Sequence, residues 1–303
     1  MANLKDYFST DVLNVDDPLF TILEKDPEWW KLIRGDKDLY VNIRKFNRIS
    51  VYYRGASVMC LKYDEGNKKI KATIHNYYLG VEKSIAEQIG ETYGDVDMSP
   101  EELVCRLELI KAQVRRNPKF TCIDDDFAVS SSEKSIQANL YKSGLYIDTE
   151  FQVQLDNGTD IRIDLVSITD ENLVQFEELK RIGDSRMMSG DPKKAEILKQ
   201  MDHYSEFITA TSLLEEDGEL LITRYYQKVL NIMSKINVLP IRLKDRKVKG
   251  LSRHVILYID CSAYTKRTSR RDKRLANLKE ILQEKGYHSN IDEVLNIYQK
   301  LPK

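Results

Sequence analysis

Between residues 146 and 181 the chain alternates apolar and polar positions in three runs, about 147–155, 160–169 and 173–181. The runs are separated by Asp156-Asn157-Gly158 and by Thr169-Asp170-Glu171-Asn172. Alternation with period two predicts strands, and Asn-Gly predicts a tight hairpin because both residues tolerate positive φ. The stretch reads as a three-stranded antiparallel meander. A second set of β-rich runs, LYVNIR, ISVYYRG, SVMCLKY and KIKATIHNYYL, predicts another antiparallel meander over residues 38–79.

Helical spacing governs most of the remainder. Short helices are expected in residues 1–36, with Trp29-Trp30 in the third as core or as a domain contact. Further helices are predicted over 81–90 and 100–116, the latter with Ser99 as N-cap, Pro100 in the first turn and Asn117-Pro118 as a stop. A helix from Ser130-Ser131-Ser132-Glu133 runs to the break at Lys142-Ser143-Gly144. Helices over 193–209, 218–236, 270–285 and 291–300 complete the pattern, with strands at 238–243 and 254–260. Residues 117–128 look like a connector, which divides the chain into an α+β accessory domain, 1–125, and a second domain, 126–303. The fold class is mixed α/β.

Composition adds bounds. A chain of 303 residues with 42% apolar and 31% charged residues is ordinary for a globular protein. No apolar run approaches a membrane span, and the acidic start lacks the order of a signal peptide, so a cytoplasmic location without membrane contact is expected. Cys60, Cys105, Cys122 and Cys261 form no CxxC pair and the four histidines are scattered; reduced, buried thiols and no zinc site are expected. The net charge of −1 is unevenly spread. Residues 1–30 hold seven acids against two lysines, whereas residues 242–274 hold twelve Lys or Arg against three Asp. That basic segment is a candidate phosphate contact.

The candidate chemistry lies in the first meander. Hairpin pairing sets Glu150 roughly opposite Asp164, and Asp164 roughly opposite Glu178. Val174, Phe176, Glu178 and Lys180 share one face of the third strand, and Glu177 faces the other way, where it serves as a negative control. An acid and a base that follow two apolar residues on one face are paired or bind something, rather than facing water. Facing carboxylates repel, and oxygen ligands suit Mg²⁺ or Mn²⁺.

The order helix, three antiparallel strands, helix, strand resembles the PD-(D/E)xK nuclease superfamily over residues 130–262. The residues that carry the likeness are Asp164 in RIDLV, Glu178 and Lys180 in FEELKR, Glu150 in TEFQVQL, and Gln200 with Tyr204 in KQMDHY. Ile163 stands where the family has a Pro before the Asp, a Pro that is commonly missing in the superfamily. The resemblance implies a restriction-endonuclease-like αβββαβ core with helical additions. It implies that Asp164, Glu178 and the carbonyl of Leu179 hold the metal, with Glu150 or Glu133 as an accessory carboxylate. Lys180 would orient or help deprotonate the attacking water, and Gln200 would face the site. Residues 1–125 lie outside the resemblance and are assigned to no family; dimerisation, partner docking and specificity reading are the roles they could fill. The expected function is metal-dependent cleavage of nucleic acid, DNA favoured over RNA. The alternative is a nuclease-fold module that binds nucleic acid or protein without catalysis.

Overall fold

The computed structural model describes residues 4–81, 93–117, 120, 132–181, 184–187, 191–260 and 269–290. Three short helices, α1 (Leu4–Tyr7), α2 (Pro18–Glu24) and α3 (Glu28–Gly35), precede a five-stranded antiparallel sheet in sequential order. Its strands are β1 (Leu39–Arg44), β2 (Arg48–Tyr53), β3 (Ala56–Asp64), β4 (Lys69–His75) and β5 (Asp95–Met98). The alternating runs thus fold as expected, and β5, too short and polar to announce itself, extends the sheet. Helices α4 (Pro100–Cys105) and α5 (Leu107–Arg116) replace the single expected helix, broken at Arg106. Ser99 caps α4, accepting from the Glu102 N–H at 3.2 Å while the Glu102 carboxylate reaches back to the Ser99 N–H at 3.0 Å.

The second half opens with α6 (Glu133–Leu140), capped by Ser132, whose hydroxyl accepts from the Ser135 N–H at 3.2 Å. The three-stranded meander follows as β6 (Tyr146–Gln154), β7 (Asp160–Ile168) and β8 (Leu173–Arg181). Then come α7 (Glu196–Thr211), a two-residue-per-strand hairpin β9 (Glu215–Glu216) and β10 (Glu219–Leu220), and α8 (Leu221–Lys235). β11 (Gly250–Leu251) and β12 (Ile256–Asp260) both run parallel to β8, helix α9 (Ser269–Glu284) follows, and β13 (His288–Asn290) pairs parallel with β12. The resulting sheet has the order β13-β12-β8-β7-β6. Residues 238–243 are not a strand: Pro240 removes a donor N–H and the segment closes into a single 3-10 turn, Ile241–Leu243. The helices expected at 81–90 and 291–300, and the boundary at 125/126, lie mainly or wholly outside the described residues.

Helices cover both faces of the second sheet. On one face the Phe176 ring packs against Phe151 (4.9 Å between centroids), Phe207 of α7 (5.0 Å) and Tyr226 of α8 (6.2 Å). On the other, Leu165 and Leu179 pack with Ile136 and Leu140 of α6 and with Tyr40 and Tyr52 of the first sheet. The larger apolar cluster runs continuously from Leu4 to Leu282, so both halves share one core. Polar bonds join the sheets where β1 crosses β6: Asn42 Nδ2 donates to Thr149 Oγ1 (2.6 Å), Tyr141 Oη donates to the Val41 carbonyl (2.6 Å), and Arg44 pairs with the buried Asp148. Trp30, fully buried, donates its indole N–H to the Ile236 carbonyl at 3.0 Å, the contact between halves expected of the Trp pair. No described helix is long and apolar enough to cross a membrane. Cys60 is half-buried and Cys105 is exposed, so burial is not general among the thiols.

Candidate active site

Strand registry brings the carboxylates together. β6 and β7 pair Thr149 with Leu165 and Phe151 with Ile163, so Glu150 lies opposite Asp164 as expected. β7 and β8 pair down to Leu165 and Glu177 and no further. One residue on, at Asp164 and Glu178, the two strands are no longer held by the ladder. The Leu179 N–H donates there to Asp164 Oδ2 at 3.0 Å rather than to a strand carbonyl. Splayed strands leave a notch at the end of the sheet, and this notch is the floor of a cleft of 460 Å³.

Three oxygens of the notch share one cation. The Lys180 ammonium donates to Glu178 Oε1 and to the Leu179 carbonyl (2.9 Å), and lies 3.6 Å from Asp164 Oδ2. Lys180 and Glu178 are each 2% exposed, so the pair is desolvated and its attraction is far stronger than at a surface. Burial pushes the Glu178 carboxyl up to about 8, and the neighbouring Asp164 carboxylate adds to the shift. For Lys180, burial pulls its pKa down, but Glu178, Asp164 and Glu133 together outweigh burial and raise it. Glu133, at the start of α6, is also pushed up by burial, against the pull of Lys180.

Helix α7 closes the cleft from the other side. Gln200 and Tyr204 are one helical turn apart and so share a face. Gln200 Nε2 donates to Glu178 Oε1 at 2.8 Å and to the Tyr204 hydroxyl at 2.5 Å, and that hydroxyl lies 2.8 Å from Glu178 Oε2. The amide oxygen of Gln200 is buried without a hydrogen-bond partner. Such an orphan acceptor costs roughly 1–3 kcal/mol and suits a site that takes a ligand with a donor, such as water. From α6, Gln137 Nε2 donates to the Asp164 carbonyl at 2.5 Å and holds β7 in place.

Asp164, Glu178, Lys180, Gln200 and the Leu179 carbonyl therefore meet as expected. Glu150 does not join them. Its backbone is left-handed (φ 55°) and its carboxylate pairs with Lys134, facing a different cleft beside β1 and β2. Opposite registry puts two backbones side by side; the local twist decides where the side chain goes. Glu133, the other accessory acid, does line the notch. Glu177 faces away, as expected, but is 4% exposed and accepts from Ser167 Oγ at 2.5 Å, so truncation to Ala would disturb packing and Gln is the replacement that tests its role in cleavage alone. Tyr204, one turn beyond Gln200, touches Glu178 directly, its hydroxyl 2.8 Å from Oε2.

Sequence reasoning missed the rim. Arg162, Arg186 and His203 line the same cleft, with Asp160 beside them; Arg186 is held by Asp184, its Nε donating to Oδ1 at 2.9 Å. Arg162 was findable, two residues before Asp164 on one strand and so on the same face; Arg186 sits in a short turn without a pattern. Only part of the basic segment 242–274 is described, and residues 242–249 of it sit away from the notch. Arg246 donates to the Thr169 carbonyl (2.7 Å) and the Lys249 N–H to the Asn172 carbonyl (2.8 Å), at the β7–β8 turn. Six residues of strand, roughly 20 Å, separate that turn from Glu178. Residues 261–268 lie outside the described residues.

Among the described residues no group of three or more His, Cys, Asp and Glu side chains stands ready to hold an ion, and Lys180 lies among the oxygens of the notch. The donor set nevertheless fits a hard divalent cation: two carboxylates and a backbone carbonyl, all oxygen, already gathered around one positive charge. No family model, curated protein or solved structure matches this chain.

Proposed function

We propose that this chain is a divalent-metal-dependent nuclease with a PD-(D/E)xK-type core formed by α6, β6–β8, α7 and β12. The carrying observation is the convergence of Asp164, Glu178 and the Leu179 carbonyl on one buried cation, Lys180, in an open cleft rimmed by Arg162 and Arg186. The helix–meander–helix order with β12 parallel to β8 supports the same reading.

In this reading Asp164, Glu178 and the Leu179 carbonyl hold Mg²⁺ or Mn²⁺, with Glu133 rather than Glu150 as the accessory acid. A bound divalent ion supplies Lewis acidity and lowers the pKa of water. The chain's own residues do the rest. Arg162 and Arg186 draw the anionic backbone into the cleft, and Arg suits phosphate oxygens through its planar fork. Lys180 holds a proton at Nζ within reach of the attacking water and of a non-bridging phosphate oxygen. Gln200 presents its unsatisfied amide oxygen to a water proton and fixes Glu178 through its amide nitrogen.

A second reading, a nuclease-fold module that binds without cleaving, draws on the saturation of Glu178 by Lys180, Gln200 and Tyr204. A cleavage assay decides between them. Single- and double-stranded DNA and RNA are incubated with Mg²⁺ or Mn²⁺ and wild type, Lys180→Ala or Glu171→Ala. Glu171 is exposed in the β7–β8 turn and is the neutral control. Lys180→Ala is expected to lower the rate by about 10²-fold or more. Failure of both ions to support cleavage of any substrate, or full activity in a folded Lys180→Ala, ends the nuclease reading.

A further inference from the structure

One turn of the first sheet carries charge and an apolar ring that the proposed chemistry does not use. β1 and β2 are joined through Lys45-Phe46-Asn47, with Arg44 paired across to Arg48. Three cations, Arg44, Lys45 and Arg48, line a cleft of 350 Å³ whose far wall is β6, with Glu150. Two ion pairs cancel the acids nearby: Arg44 with the buried Asp148, and Lys134 with Glu150. Lys45 and Arg48 are left over, and neither meets a carboxylate among the described residues. Lys45 rests instead on the Tyr7 ring, 3.8 Å from its centroid, and its partial burial lowers its pKa. A half-buried ammonium without a counter-ion is costly unless an anion completes it.

Phe46 sits between these cations at the hairpin tip and is 64% exposed. Its φ is 59° and that of Asn47 is 52°. Asn tolerates the left-handed region; a bulky aromatic residue there is an outlier, and such strain persists at binding sites. Turn formation by itself does not select Phe at this place. A ring held out to water between two unpaired cations is the arrangement that stacks an unpaired base and contacts its flanking phosphates.

Side chains of α6 link this cleft to the notch. Lys134, which pairs with Glu150, follows Glu133 of the notch and lies 3.3 Å from Gln137 Oε1, and Gln137 holds the Asp164 carbonyl. Glu150 lies on β6 between Thr149 and Phe151, which pair with Leu165 and Ile163 on either side of Asp164.

We propose that the β1–β2 hairpin is a single-stranded nucleic-acid subsite, with Lys45 and Arg48 on successive phosphates and Phe46 stacked on a base, delivering the strand to the notch beside it. This rests on the nuclease reading for its purpose and not for its measurement. Binding of a fluorescent oligo-dT and of a duplex is followed by anisotropy over a salt series with chelator present, so that nothing is cleaved. Phe46→Ala is expected to weaken oligo-dT binding about ten-fold. Lys45→Ala/Arg48→Ala is expected to reduce the slope of log K against log salt by about 1.4, the loss of two single-strand phosphate contacts. Both positions are accessible hairpin sites, and a melting curve verifies each fold. Unchanged affinity and salt slope in both variants, or tighter duplex binding that ignores Phe46, overturns the subsite. If the variants lose the strand while wild type cleaves nothing with either metal, the nuclease reading falls and the subsite stands; if wild type cleaves and the variants bind normally, the reverse holds.

Discussion

Adjacent glutamates on β8 should respond to the same substitution in opposite ways. Glu177 lies on the α6 face of the sheet, away from the notch, where burial lifts its carboxyl from 4.5 to about 7, against the pull of Ser167, Tyr146 and Tyr258. The sign of the linkage follows. Below about 4.5 the carboxyl is protonated in both folded and unfolded chains. As pH rises toward about 7 the unfolded chain releases the proton and the folded chain keeps it, so stability present at low pH is lost across that window. Gln, neutral and of the same shape, should be spared that loss while still accepting from Ser167. The gap between 4.5 and about 7 is worth about 3 kcal/mol. Urea unfolding of metal-free wild type and Glu177→Gln should therefore agree within about 0.5 kcal/mol near pH 4.5 and diverge by about 3 kcal/mol in favour of Gln above about pH 7.5. Cleavage should be unaffected, because no Glu177 atom reaches the notch. Glu178→Gln should instead abolish it. A Glu177→Gln protein that is no more stable at high pH than at low pH, relative to wild type, would refute the account of its burial, and loss of cleavage in a folded Glu177→Gln would refute the division of the two faces.

Other perturbations follow from the same geometry. Gln200→Leu removes both the Glu178 clamp and the orphan acceptor; cleavage should fall at least ten-fold while melting temperature holds or rises, since a buried unsatisfied oxygen is lost. Arg44→Ala leaves Asp148 buried and uncompensated, and denaturant unfolding should show a loss of about 3–5 kcal/mol. Mg²⁺ or Mn²⁺ at 100-fold its dissociation constant should stabilise wild type by about 2.7 kcal/mol and Asp164→Asn by much less, read as a shift in thermal midpoint.

Much of the core was legible before any coordinates. Period-two alternation and the Asn157-Gly158 turn specified β6, β7 and β8 to within a residue or so, and with them the facing of Asp164 and Glu178. Helical spacing on α7 put Gln200 and Tyr204 on one face, and Ser99 and Ser132 marked their helix starts by cap chemistry alone. These are local properties: pleat, turn and cap depend on residues a few positions apart.

What only the tertiary structure decided was non-local. Glu150 held the expected register yet turned to Lys134, because a left-handed backbone and a partner sixteen positions away outweighed alternation. Residues 242–249 are basic in sequence but dock on the β7–β8 turn, at the wrong end of the sheet for the notch. The uncompensated cations turned up instead on β1–β2, in the half of the chain with the more acidic start. Lys180 was named from its spacing, but that its ammonium gathers Asp164, Glu178 and the Leu179 carbonyl at once depends on where β7 and β8 part. Pattern along the chain dictates which face a side chain occupies; which charges meet there depends on packing between segments, where desolvation makes every pairing, or its absence, count.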